Sequence, residues 1–166
     1  MAISSIGVAV RKAVAEGLSD HLDGHSDFNG AAAPEKKTVV AFGYDFSNLH
    51  REHVFTGRSR ADTPPAGLRS GRNTRNETGH FDLTVTVRIV PSALPEAGDA
   101  AYQAEARAET IGGAIEDWFA ERKNNELGVD GLNSLVVESW TADYAKTDNG
   151  MAAIRTYDIR WTARLE

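Results

Sequence analysis

"HFDLTVTVRIV" spans His80 to Val90, and its reading decides the fold. Phe81, Leu83, Val85, Val87 and Ile89 alternate with Asp82, Thr84, Thr86 and Arg88. A side-chain period of two over that length requires a strand with one face on a core and the other in water. One-sided strands of this kind belong to antiparallel sheets, because parallel sheets are covered on both faces and read as continuous apolar runs. Pro91 and Pro95 close the run, since neither can donate to a ladder.

The same period returns at the C-terminus. In "AAIRTYDIRWTARL" (152–165), Arg155, Tyr157, Ile159, Trp161, Ala163 and Leu165 share one face. "LVVESWTADY" (135–144) precedes it, and Asp148-Asn149-Gly150 supplies the turn between them. Upstream, "TVVAFGY" (38–44) and "EHVFTG" (52–57) are shorter β-prone runs. Two stretches switch to the helical period. Ile3, Ile6, Val10, Val14, Leu18 and Leu22 recur every three or four residues, and Asp23-Gly24 ends that run. Ala104, Ala108, Ile111, Ile115, Trp118, Phe119 and Arg122 form a second stripe, with Asp99 placed to cap its start. Gly112-Gly113 inside it costs roughly 1 kcal/mol per glycine relative to alanine. The pair marks either a close approach of the helix to its neighbour or a tolerated weak spot. Trp118, Trp140 and Trp161 are expected to bridge helix and sheet in the core. The order of elements predicts an α+β fold: a mostly antiparallel sheet of four to five strands with two helices packed on it. Residues 1–166 are expected to form a single domain. No βαβ series with glycine-rich turns is present, which argues against a doubly wound nucleotide-binding fold.

Composition narrows the class. Hydrophobic residues make up 41% and charged residues 25%, a globular balance unlike that of a disordered chain. The absence of cysteine removes disulfides and thiolate metal sites. No run approaches the ~18 apolar residues of a membrane span. Arg11 and Lys12 follow the first apolar residues, the reverse of a secretory signal, so a soluble intracellular chain without a membrane partner is expected.

Chemical motifs are sparse. His21 and His25 stand beside Asp20, Asp23 and Asp27, but the segment lacks the spacing of a Ca²⁺ loop and reads as a solvated linker. His50 and His53 are three apart without an H-E-x-x-H helix. There is no nucleophile elbow and no phosphate-binding loop. These absences point away from an enzyme, a metal site and a cofactor.

The remaining segment, "GRSRADTPPAGLRSGRNTRNETGH" (57–80), is different. It holds Arg58, Arg60, Arg69, Arg72 and Arg75 against Asp62 and Glu77, a balance of +3. The whole chain is −6, so everything outside the segment carries −9. Connections without secondary structure beyond about 12–15 residues are uncommon unless functional or disordered. The expectation is a long protruding loop between two sheet strands, and three readings of it stay open. It is a solvated loop, a nucleic-acid-binding arm, or an arm that pairs with acidic surface on another protein or another copy of itself. Against nucleic acid stand the acidic remainder and the lack of aromatics among the arginines.

"SGRNTRNETGHFDLTVTVRIV", the Ala/Glu-rich "AYQAEARAETIGGAIEDWF" and the closing hairpin "VVESWTADYAKTDNGMAAIRTYDIRWTARLE" together resemble the tail terminator proteins of long-tailed bacteriophages. The resemblance covers the chain as an order of elements and is most specific over 70–120. It implies a non-enzymatic virion structural protein at the tail–neck junction, assembled in the host cytoplasm, without cofactors. Copies would form a homo-oligomer, a hexameric ring, that caps the tail tube protein, ends its polymerisation and meets the head-side connector protein. DNA would pass only through the lumen. The resemblance further implies that the loop at 57–80 orders on assembly, with Arg58, Arg60, Arg69, Arg72 and Arg75 making intersubunit or tail-tube contacts. Other head–tail connector or head-completion proteins of similar size, and a nucleic-acid-binding module using the arginine-rich arm, are the alternatives.

Overall fold

The computed structural model describes residues 5–29, 38–44, 51–62, 75–89, 97–122, 127–147 and 150–165. Helix α1 runs Gly7–Asp23 and a short α2 runs Ser26–Asn29. Strands β1 (Thr38–Ala41), β2 (Glu52–Asp62) and β3 (Arg75–Ile89) follow. Helix α3 covers Ala97–Glu121, and β4 (Leu132–Thr147) and β5 (Gly150–Leu165) complete the chain. The strands form one open sheet in the order β1-β2-β3-β5-β4. All neighbours are antiparallel except β1 and β2, which are parallel. The fold is α+β, as the sequence predicts.

Strand β3 is central, and its alternation is realised in full. Phe81, Leu83, Val85 and Val87 are buried while the intervening side chains face away from the helices. On β5, Tyr157, Ile159, Trp161, Ala163 and Leu165 are buried on the same side. Helices α1 and α3 cover that side with Val10, Val14, Leu18 and Leu22 from the first and Ala104, Ala108, Ile111, Ile115 and Trp118 from the second. Trp118 and Trp161 sit in this core, but Trp140 does not: it is half exposed on edge strand β4. Two glycines permit the closest approaches. A Cβ on Gly79 would run into the Trp161 ring, and one on Gly112 would run into the Tyr157 hydroxyl and the Arg155 side chain. Gly112 is thus the close-approach residue of the glycine pair, while nothing lies within 4 Å of a Cβ on Gly113.

An ion pair between buried Glu52 and partly exposed Arg107 ties the layers together. Arg107 on α3 donates to both carboxylate oxygens of Glu52 on β2, at 2.7 and 3.0 Å. It also donates to the Asp27 carbonyl of α2 at 2.9 Å, and its guanidinium lies 5.0 Å over the Phe28 ring. Thr38 of β1 donates to the same Glu52 carboxylate at 2.6 Å.

The strand ends correct the expectation of a loop throughout 57–80. Residues 57–62 continue β2 and residues 75–80 begin β3, with Asp62 opposite Thr78 and Arg75 opposite Leu165. The physical reason is that β5 runs on to Leu165 and offers a pairing partner along its whole length. A ladder of main-chain hydrogen bonds then overrides the weak β-propensity of Arg, Asp, Asn and Gly side chains. The core of the proposed loop, residues 63–74, lies outside the described residues.

Candidate functional site

The sequence-selected arginines divide between two places. Arg58 and Arg60 lie on the far part of β2, where residues 58–62 are all exposed. Arg75 is the first residue of β3, and Arg69 and Arg72 fall outside the described residues. Arg60 stands opposite His80, on the face of the sheet turned away from the helices. Its guanidinium is 3.9 Å from Asp158.

Around that point a polar cluster converges that the sequence does not announce. His80 Nδ1 is 3.0 Å from an Asp158 oxygen and 3.9 Å from a Glu138 oxygen. Arg160 donates to Glu138. A pocket of about 220 Å³ opens beside it between Arg58, Arg60, Asp82 and Asp158. His80, Glu138 and Asp158 place their ligand-type atoms within 4.8 Å of one another. Two guanidiniums face the two carboxylates, so the cluster is balanced in charge and an added divalent cation would meet positive neighbours. The bulge between Val137 and Ser139 lies at Glu138, and cross-strand register delivers the other members. A single sequence carries no sign of that register. The histidines the sequence does single out behave otherwise. His25 lies 3.8 Å from Asp27 and packs on Phe28. His53 is buried among Tyr44 and Phe55, and His50 lies outside the described residues.

A second node sits on the helix side of the sheet. Arg155 donates to the Tyr157 hydroxyl at 2.7 Å and to Glu116 of α3 at 3.2 Å, and Tyr157 donates to Glu116 at 3.0 Å. Burial holds the Tyr157 phenol above its ordinary pKa of 10.0; Glu116 adds to the shift and Arg155 opposes it. The Arg155 guanidinium also stacks 3.8 Å over the Trp140 ring. Beyond Trp140 the β4 edge is exposed through Lys146, and Tyr144 is 57% accessible.

The opposite edge of the sheet has apolar surface of its own. A groove of about 480 Å³ runs between α1 and β1, lined by Val8, Ala15, Val40 and Phe42 with Lys12 and Glu16 at its rim. The Arg11 guanidinium lies 4.5 Å over Phe42, and burial lowers its pKa. Among the described residues no helix is long and apolar enough to cross a membrane.

The molecule is therefore an open-sheet α+β protein whose two sheet edges and arginine-bearing hairpin end all present surface to solvent. No protein-family model matches the chain, and neither does any curated protein. Among solved structures it is similar to a chain of the virion of a native gene transfer agent particle. The two share 18% identity over 98% of this chain and 99% of that one, with a TM-score of 0.48.

Proposed function

We propose that this protein is a non-enzymatic structural component of a phage-type virion, a tail terminator. Its copies assemble into a six-membered ring on the end of the tail tube. One ring face matches the tube subunit and stops its growth; the other meets the head-side connector, and DNA passes through the lumen. In this reading Arg58, Arg60, Arg69, Arg72 and Arg75 engage a neighbouring subunit or the tube, and residues 1–166 act as one domain. A single observation carries the proposal: the five exposed residues at the end of β2 include Arg58 and Arg60, on a chain whose remainder outside 57–80 is net acidic. Arg60 reaches Asp158 only at 3.9 Å and both arginines stay exposed, so their guanidiniums keep surface that carboxylates of another chain can meet. The element order behind the sequence resemblance, from first helix to closing hairpin, is consistent with it.

The test is electron microscopy of the purified protein, alone and mixed with tail tube protein. Six-fold rings, or caps on tubes of fixed length, are expected. Particles that neither form rings nor bind tubes would defeat the reading. The informative deletion is 63–74 bridged by a short turn. A deletion of 60–77 would also remove the β3–β5 pairs at Arg75, Asn76 and Glu77 and so damage the fold itself. The shortened protein should remain folded and fail to assemble. A salt-sensitive gel shift with linear duplex DNA separates this proposal from a nucleic-acid-binding arm, because the free protein is expected not to bind.

A further inference from the structure

Helix α3 carries six acidic residues and a single arginine. That arginine, Arg107, is committed to Glu52. Tyr102, Glu105, Glu109, Gly112 and Glu116 follow one another at spacings of three and four, so they form one stripe along the helix. Gly112 abuts Tyr157 and Arg155, and Glu116 accepts from both, which turns this stripe toward β5 and β4. Tyr102, Glu105 and Glu109 are exposed.

On the sheet side, Trp140 pairs with buried Tyr157, Ala142 with Arg155 and Tyr144 with Ala153. Directly opposed residues project to the same face, so Trp140, Ala142 and Tyr144 all point toward the helix layer. All three are nonetheless exposed. Between α3 and β4 there is thus an open groove with an aromatic floor and an acidic wall. Lys146, farther along β4, is the cation at its end, and Arg155 is already engaged by Glu116.

We propose that this groove receives the arginine-bearing connection of a second copy of the chain, residues 63–74 with Arg69 and Arg72, flanked by Arg58 and Arg60. The inference rests on the ring reading and names the surface that the ring contact uses. Charge complementarity selects the occupant: a connection that carries +2 from Arg69 and Arg72 and no acidic residue, against a helix face whose carboxylates outnumber its cations. The floor suits guanidinium in particular, because Arg155 already stacks on Trp140.

Distance along the sheet keeps the Tyr102–Tyr144 end of the groove beyond the chain's own connection, so an occupant there comes from another copy. Arg75 lies opposite Leu165, whereas Val87 lies opposite Ala153, which is also the partner of Tyr144. Twelve residues of strand separate those levels, about 40 Å at ~3.3 Å per residue. Glu105 is at the Val87 end too, since its near neighbour Arg107 binds Glu52, the partner of Val87. A connection of twelve residues that must go out and return advances at most ~23 Å. Arg75 and the Tyr102–Tyr144 end of the groove therefore lie at opposite ends of the sheet. A contact between two different patches is heterologous, and it propagates from copy to copy until rotation closes a ring.

The experiment is sedimentation equilibrium of the full chain at low and high salt. The variants are Glu105→Lys/Glu109→Lys on the groove, Arg69→Glu/Arg72→Glu on the arm, and all four substitutions together. Each pair alone should weaken self-association by about tenfold or more, and the fourfold variant should restore it. Circular dichroism confirms that each variant is folded, since the two groove positions are exposed. Because the chain has no cysteine, Gly71→Cys mixed with Glu109→Cys supplies an independent readout: a bismaleimide should join the two variants to each other. Self-association that ignores every charge reversal, with no cross-link, overturns the groove while leaving the ring reading standing. A protein that stays monomeric at all concentrations overturns the groove as well, and the micrographs with tail tube then judge the ring reading separately.

Discussion

Replacing Arg107 with alanine should be among the most damaging single changes outside the apolar core. Its guanidinium makes two hydrogen bonds to Glu52 and one to the Asp27 carbonyl, and it lies over Phe28. Glu52 is only 7% exposed. Without Arg107 its carboxylate keeps the Thr38 hydroxyl as a hydrogen-bond donor but loses the positive charge that balances it. Removing one partner of a buried pair costs about 3–5 kcal/mol, because the other charge is left uncompensated. Domains are stable by only about 5–15 kcal/mol, so the loss is a large fraction of the whole. At about 2–4 °C per kcal/mol for a chain of this size, Tm should fall by roughly 10 °C. Urea unfolding at neutral pH measures the cost directly. The double variant Arg107→Met/Glu52→Leu separates charge from packing: it should recover most of the loss, leaving a change of about 1–2 kcal/mol in either direction. The two single variants and the double then give a coupling energy between the sites. If Arg107→Ala costs below about 1 kcal/mol, the pair behaves like an exposed salt bridge and the reasoning fails. It fails equally if the two single losses simply add.

The remaining predictions concern the contact of α3 with β5. Gly112→Ala should destabilise by about 1–3 kcal/mol, because the added methyl meets Tyr157 and Arg155 and overpacking outweighs the gain in helix propensity. Gly113→Ala meets nothing within 4 Å and should stabilise by up to ~1 kcal/mol; paired urea melts that ranked the two in the other order would contradict the packing described. Tyr157 makes stability sensitive to alkali. Its folded pKa is raised above 10.0 by burial, so the folded form keeps a proton that the unfolded chain releases. Its contribution is intact below pH 10 and declines as pH rises beyond that value. Tyr157→Phe should flatten that decline in a series of melts from pH 8 to 11, and an unchanged slope would remove the phenol from the explanation.

Much of the architecture was legible because a period is a local signal. Phe81 to Ile89 and Tyr157 to Leu165 alternate so regularly that only one-sided strands fit them, and the apolar stripes of α1 and α3 are as plain. The ends of β2 and β3 were not legible. Arg58, Asp62, Arg75 and Asn76 are poor strand formers by themselves, and they are strand residues because β3 and β5 pair with them. The parallel pairing of β1 with β2 is likewise a decision of the whole sheet. Trp140 shows the limit of an aromatic rule: its strand and face follow the pattern, but it lies on the exposed half of the edge strand. His80, Glu138 and Asp158 come together through register and one bulge, and sequence spacing encodes neither. The arginines at 57–75 were conspicuous as charge, yet nothing along the chain marked the Tyr102–Glu116 stripe as their complement.

The exposed half of β4 is better understood through how protein sheets protect their edges. Bulges, inward-pointing charges, prolines and short strands all keep an open edge from pairing with another chain. Strand β4 uses bulges at Leu132/Ser134 and Val137/Ser139, both in its first half. From Ser139 to Thr147 its pairing with β5 is regular, it has no proline, and Trp140 and Tyr144 stand on the helix-facing side. A monomer selected to remain alone would place its bulges along that second half, where Trp140 and Tyr144 are exposed. Both bulges lie in the half already shielded by Leu132, Leu135 and Val137 against the core, and the second half, with Asp143 and Lys146 as its charges, adjoins the acidic stripe of α3. That distribution is costly for a solitary protein and suits one whose second half of β4 is covered by a neighbour.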